Sequence, residues 1–146
     1  MTALPMACVL DASLGIKLFL PEDDSETLRA FVGRMFADPP IRFFVPDLFF
    51  IECANIFWKQ VRRGEYRTEQ AQQDLADLIR LDWAVTSTMD LVVHAAEIAN
   101  SHGITAYDAC YVALAERLEL PLYTADARLR TALAGSPFRV YGLMEA

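Results

Sequence analysis

The chain has 146 residues, 54% hydrophobic and 23% charged, with two Trp, five Tyr and nine Phe; this suits one well-packed domain over 1–146 and excludes disorder. A formal net charge of −7 excludes a general nucleic-acid coat, although an acidic chain can still act on nucleic acid where its carboxylates are metal ligands. No apolar run reaches the roughly 18 residues of a membrane span, and Asp11 interrupts the first apolar stretch, which has no basic leader. A membrane partner and a secretory signal are therefore not expected, and the expected location is cytoplasmic.

Ala7–Leu10 reads as a buried strand with Asp11 at its C-terminal end. Asp11-Ala12-Ser13 leads into a short helix over Leu14–Leu20, stopped at Pro21, and Pro21–Asp24 is a turn. Asp24 or Ser25 caps a helix carrying Leu28, Phe31, Val32, Met35 and Phe36, ended by Asp38-Pro39-Pro40. Arg42–Val45 is the second strand, closed by Pro46. Asp47 is the expected N-cap of a strongly apolar helix over Leu48–Arg63, in which Glu52, Asn55 and Lys59 form one polar stripe. That stripe is either a solvated face or the lining of a polar cleft. Gly64 closes the helix, and Thr68 is the expected cap of the next, over Glu69–Leu81. Trp83–Val85 is a third strand. A helix begins near Asp90 and ends at Gly103. Thr105 is the expected N-cap of a helix through Leu118, Leu122–Tyr123 a very short strand, Asp126 the cap of another helix, and Phe138–Tyr141 the last strand.

The order β-α-α-β-α-α-β-α-α-β-α-β, with short strands apolar on both faces, predicts an α/β fold: a central parallel sheet of about five strands flanked by helices on both faces. Cys8, Cys53 and Cys110 lack CxxC spacing and lie in apolar stretches, so they read as buried free thiols in a reducing compartment. His94 and His102 have no Cys or His at metal-ligand spacing.

Open α/β sheets bind ligands outside the carboxyl ends of their strands. Asp11, Glu52 and Asp126 follow three such ends. Asp108 lies in the first turn of a helix that follows another helix, so its placement is less constrained. Each acid has an ordinary structural use, as a helix cap or a dipole partner. A converged set would be costly, since two unit charges about 4 Å apart repel by about 4 kcal/mol at an effective dielectric near 20. Protons or cations must offset such repulsion, and oxygen ligands alone favour Mg²⁺ or Mn²⁺ over zinc.

The stretches Val9-Leu10-Asp11-Ala12-Ser13, Val45-Pro46-Asp47-Leu48 with Glu52 and Asn55, Thr105–Ala115 and Leu122–Leu129 resemble the PIN domain. The pairing of YDA-x-YVALA with L-x-TAD-x-x-L is most similar to the VapC toxins of type II toxin–antitoxin pairs. The resemblance spans nearly the whole chain, with the motifs in order. It implies a five-stranded parallel sheet and an endoribonuclease dependent on Mg²⁺, with Mn²⁺ as a substitute, that hydrolyses RNA with a metal-activated water. By motif, Asp11, Glu52, Asp108 and Asp126 match the family's catalytic, metal-holding quartet. Ser13 and Thr124 match its supporting hydroxyls, and Asn55 matches a polar neighbour. The family also implies a homodimer, a small cognate antitoxin covering the groove, a higher-order complex with it, and promoter DNA bound only through it.

Lys59, Arg62, Arg63 and Arg67 are candidate RNA phosphate contacts, or a solvated basic helix end. Phe49, Phe50, Phe57 and Trp58 are read mostly as core, with a groove for an antitoxin or second subunit as the alternative. Two other functions fit the same motifs: a housekeeping PIN nuclease in RNA processing, and an antitoxin-dependent DNA-binding regulator. An aspartyl-phosphate phosphotransferase with Asp11 as nucleophile fits poorly, because Ser13 stands where a second acid is needed and Glu52 is left unexplained.

Overall fold

The short apolar runs pair side by side in a computed structural model that describes residues 5–20 and 25–143. The strands are β1 (Ala7–Leu10), β2 (Arg42–Pro46), β3 (Trp83–Thr86), β4 (Leu122–Tyr123) and β5 (Val140–Tyr141). They form one sheet in the order β3-β2-β1-β4-β5, every neighbouring pair parallel. The helices are α1 (Ala12–Gly15), α2 (Ser25–Gly33), α3 (Leu48–Arg62), α4 (Thr68–Ile79), α5 (Val92–His102), α6 (Ala106–Leu118) and α7 (Ala127–Ala132). Element order among the described residues is the one that the sequence spacing predicts. The chain leaves β1 toward β2 and β3 and returns to the other side for β4 and β5. With right-handed crossovers, the two sets of connecting helices cover opposite faces.

β1 is central because it is apolar throughout: Cys8, Val9 and Leu10 are fully buried. The ladder continues past the strand ends, with Asp11 N–H donating to Tyr123 O at 3.0 Å and Thr124 N–H to Tyr141 O at 2.9 Å. Phe31, Phe43, Phe49, Trp83 and Tyr123 form a chain of aromatic contacts through the core, from 4.9 Å for Phe49–Trp83 to 6.3 Å for Phe43–Trp83. Phe57 is also buried, Phe50 is partly so, and Trp58 is exposed. All three cysteines are free and buried, and burial pushes the Cys8 thiol up to about 12. No helix among the described residues is long and apolar enough to cross a membrane.

Several boundaries differ from the sequence reading. The first helix starts at Ala12, not Leu14, because Asp11 O already accepts the N–H groups of Leu14 and Gly15, at 3.0 and 3.1 Å. It passes into a 3₁₀ turn at Ile16–Leu18 and does not run to Leu20 as one helix. Thr68 is the first residue of α4 rather than its cap; Arg67 precedes it in extended conformation, and Arg67 O accepts the N–H of Ala71. Asp47 does not cap α3 with its side chain. Its backbone is already helical (φ −61°, ψ −22°), and its carboxylate accepts the N–H of Thr88 at 2.9 Å and the Thr88 hydroxyl, tying β2 to the turn after β3. The last strand is Val140–Tyr141, shorter than Phe138–Tyr141. The Pro21–Asp24 turn, and with it Asp24 as a cap, lies outside the described residues, and Ser25 is the first residue of α2.

Thr105 and Asp126 are the caps expected of them. Thr105 Oγ1 accepts the N–H of Asp108 at 3.1 Å, and Asp126 Oδ1 accepts those of Arg128 and Leu129 at 2.9 and 3.2 Å. α5 ends on Gly103 in the left-handed region (φ 67°), where a side chain would be strained.

Candidate active site

All strands point the same way, so β1, β2 and β4 end on one edge, at the place where strand order reverses between β1 and β4. Asp11 follows β1, and Thr124 and Asp126 follow β4. Glu52 stands in the second turn of α3, which follows β2. α6 feeds the parallel strand β4 and therefore runs antiparallel to it. Its N-terminus, with Asp108, returns to the same edge.

Asp11 is the anchor of the site, only 6% exposed. Its Oδ2 accepts the Ser13 hydroxyl at 2.9 Å and the Thr124 hydroxyl at 2.6 Å. The two hydroxyl oxygens lie 3.2 Å apart. Each also accepts a backbone N–H from the turn after β4: Ala125 to Ser13 Oγ, and Asp126 to Thr124 Oγ1, both at 3.0 Å. Amide donates to hydroxyl and hydroxyl to carboxylate, so each link polarises the next. The network ties the β4–α7 turn to β1 and fixes one oxygen of Asp11.

Burial raises Asp11 above the ordinary carboxylate range, with a further push from Asp126. Glu52 is half-buried and raised to about 7 by burial, then by the charges of Asp11 and Asp108, against a lowering hydrogen bond from Tyr111. Asp108 is raised by burial and by Asp11 and Asp126. The quartet therefore shares one electrostatic field. Among the described residues no Lys, Arg or His forms an ion pair with any of the four. Equally, no three His, Cys, Asp or Glu side chains among those residues are gathered tightly enough to make a ready-formed cage. An acidic set of oxygen ligands that no Lys, Arg or His pairs with among the described residues fits a hard divalent ion.

The other predicted site residues divide by position. Ser13 and Thr124 are in the Asp11 network. Asn55 and Lys59 are exposed and line a groove with Ile51, Glu52 and Tyr107, so the polar stripe of α3 does border a cleft. Arg62 lies over the Trp58 ring, 5.5 Å from its centroid. Arg63 and Arg67 are exposed, as C-cap of α3 and N-cap of α4, at the far end of α3 from Glu52. Two residues went unassigned in the sequence reading. Tyr107 borders the groove beside Asp108, and Tyr111, fully buried, donates its hydroxyl to Glu52 Oε1 at 2.6 Å. Their signal in the sequence was the single helical spacing that carries Tyr107, Asp108 and Tyr111 on α6.

The PIN-domain family model matches residues 8–132. A ribonuclease VapC3 from Pyrobaculum aerophilum is 36% identical over 126 residues, covering 85% of this chain and 92% of the relative. The crystal structure of PAE2754 from the same organism superposes with a TM-score of 0.70 at 22% identity, over 95% of this chain and 85% of that one. VapBC2 from Rickettsia felis, bound to a DNA fragment from its promoter, superposes with a TM-score of 0.62 at 8% identity, over 93% and 98%. The two structural likenesses are of fold. The family-model match and the VapC3 identity go further, and with the acids at the strand ends they establish that the chain belongs to the PIN-domain family, among the VapC ribonucleases.

Proposed function

We propose that this protein is the toxin of a VapBC-type pair, an endoribonuclease that hydrolyses RNA phosphodiester bonds with Mg²⁺ or Mn²⁺ at Asp11, Glu52, Asp108 and Asp126. What supports the reading is that these acids follow strand ends or helix starts at one sheet edge, where among the described residues no Lys, Arg or His forms an ion pair with them. A bound divalent ion supplies phosphate polarisation and an activated water. The chain's own part is to hold ligands in place. Asp11 is fixed by two hydroxyls and Asp126 by the first amides of α7. A carboxylate of the cluster takes the proton of the attacking water. The family resemblance implies 3′-hydroxyl and 5′-phosphate product ends, and hydrolysis by water would need no covalent enzyme intermediate.

Lys59, in the groove beside Glu52, is the first candidate phosphate contact, with Arg62, Arg63 and Arg67 extending the basic track along and beyond α3. An antitoxin partner is supported by the toxin–antitoxin complexes that share this fold. Exposed Ile51 and Trp58 give it apolar surface on α3, beside the groove that it would cover. A homodimer is the expected assembly. A charge of −7 opposes DNA binding by the chain alone, so promoter contact would come through the antitoxin.

The test compares wild type with Asp108→Asn at equal soluble protein, by growth on induction and by cleavage of total RNA with Mg²⁺, Mn²⁺ or chelator. Arrest and metal-dependent cleavage by the wild type alone are expected. Cleavage without arrest would favour a housekeeping nuclease. Arrest by both proteins would remove this carboxylate from the mechanism.

A further inference from the structure

Tyr111 is completely buried, yet among the described residues its hydroxyl bonds no backbone carbonyl; it donates to a carboxylate of the cluster, Glu52 Oε1, at 2.6 Å. The two residues are 59 apart in sequence and stand on different helices, α6 and α3. Glu52 makes no other side-chain hydrogen bond among the described residues. Asp11 is held by two hydroxyls and Asp126 by two amides. Glu52, repelled by Asp11 and Asp108, has this one tether among the described residues. Tyr111 follows Asp108 by three residues, on the same side of α6. One helix thus presents one acid directly and restrains a second.

We infer that Tyr111 is a positioning residue of this site: its hydroxyl holds the Glu52 carboxylate beside Asp11 and Asp108 against their repulsion, and so keeps it available to a divalent ion. The inference rests on the metal-dependent reading above. A buried phenol needs a polar partner in any core. The ring fills the same space with or without its oxygen, so Tyr111→Phe removes the tether and spares the packing.

The experiment is Mn²⁺ titration by calorimetry of four proteins: wild type, Tyr111→Phe, Glu52→Gln and the double variant, each checked for folding by near-ultraviolet circular dichroism and thermal melting in chelator. Tyr111→Phe is expected to weaken Mn²⁺ binding roughly tenfold, the lower end for loss of an outer-shell partner, with near-wild-type melting in chelator. In the Glu52→Gln background the same substitution should cost nothing further. Unchanged Mn²⁺ affinity in Tyr111→Phe overturns the inference. An equal loss in both backgrounds also overturns it, since the tyrosine would then act through packing. Wild-type protein that binds no Mn²⁺ overturns the metal reading itself, and this result is separate from the other two.

Discussion

Asp11 is where the packing of the sheet edge meets the chemistry proposed for it. It is buried, bonded to two hydroxyls, and raised by burial and by Asp126. Its amide replacement keeps the shape and removes the charge. Asp11→Asn, Glu52→Gln, Asp108→Asn and Asp126→Asn should each reduce RNA cleavage by orders of magnitude. In chelator at least some should melt at the same temperature as wild type or higher, because repulsion is relieved. Uniform loss of the folded state, followed by circular dichroism, would instead make these acids structural caps. Acidity adds a second expectation. Glu52 is raised from its ordinary 4.5 to about 7, and a carboxyl raised in the folded state binds its proton more tightly there than in the unfolded chain. Its penalty is absent below about 4.5 and grows as the pH climbs toward about 7. His94, raised first by Glu116 and then by Glu97, gives stability that is complete below its ordinary 6.5 and is lost as the pH rises through its folded value. Both effects have one sign: metal-free protein should melt lower at about pH 8 than at about pH 5, and Glu52→Gln should flatten that slope.

At the scale of elements, the approach of α1 to α3 sets the distance between the Asp11 end of β1 and the Glu52 turn. Gly15 makes the approach possible: a Cβ there would meet Phe49 Cζ at 2.7 Å and Cε1 at 2.8 Å, and Phe49 is fully buried with no room to swing out. Gly15→Ala should therefore lower stability in urea by about 1–2 kcal/mol, overpacking outweighing the better helix propensity of alanine. Glu119 is the opposite case. It is exposed and closes α6 in the left-handed region at φ 56°. Glu119→Gly should raise stability by about 0.5–1 kcal/mol, measured the same way. Elements with strong local signals were legible in the sequence: the Thr105 and Asp126 caps, the Gly103 stop, and the strands at Ala7–Leu10 and Leu122–Tyr123. Asp47 was misread because a carboxylate after proline looks like a cap. Its actual partner, Thr88, is 41 residues away and invisible to local spacing.

For the whole molecule, the four acids come from four segments that only the closed sheet brings to one edge. Their shared repulsion is a cost of the native state that a divalent ion would relieve. A ligand that binds only the folded form at about 100 times its Kd adds about 2.7 kcal/mol. Saturating Mn²⁺ should accordingly raise the melting temperature of the wild type by several degrees and that of Asp108→Asn by much less. Equal shifts in both, read by calorimetry, would place the ion elsewhere. The groove along α3, with Ile51, Asn55 and Lys59, adjoins this edge, so substrate and antitoxin would compete for one surface.

The sequence by itself determined the order of elements and the parallel α/β class, and it singled out the acids proposed for the site. Those depend on local periodicity, on breakers such as Pro121 and Gly103, and on residue types at motif spacing, all carried by neighbours in the chain. Only the tertiary structure decided where Asp108 lies, because a helix that follows another helix has no address until the strand it feeds is paired. It also decided that Asn55 and Lys59 border a groove, that Asp47 ties to Thr88, and that Tyr111 reaches Glu52. Each of these is a contact between segments distant in sequence, and the packing of the sheet and its helices is what selects the partner.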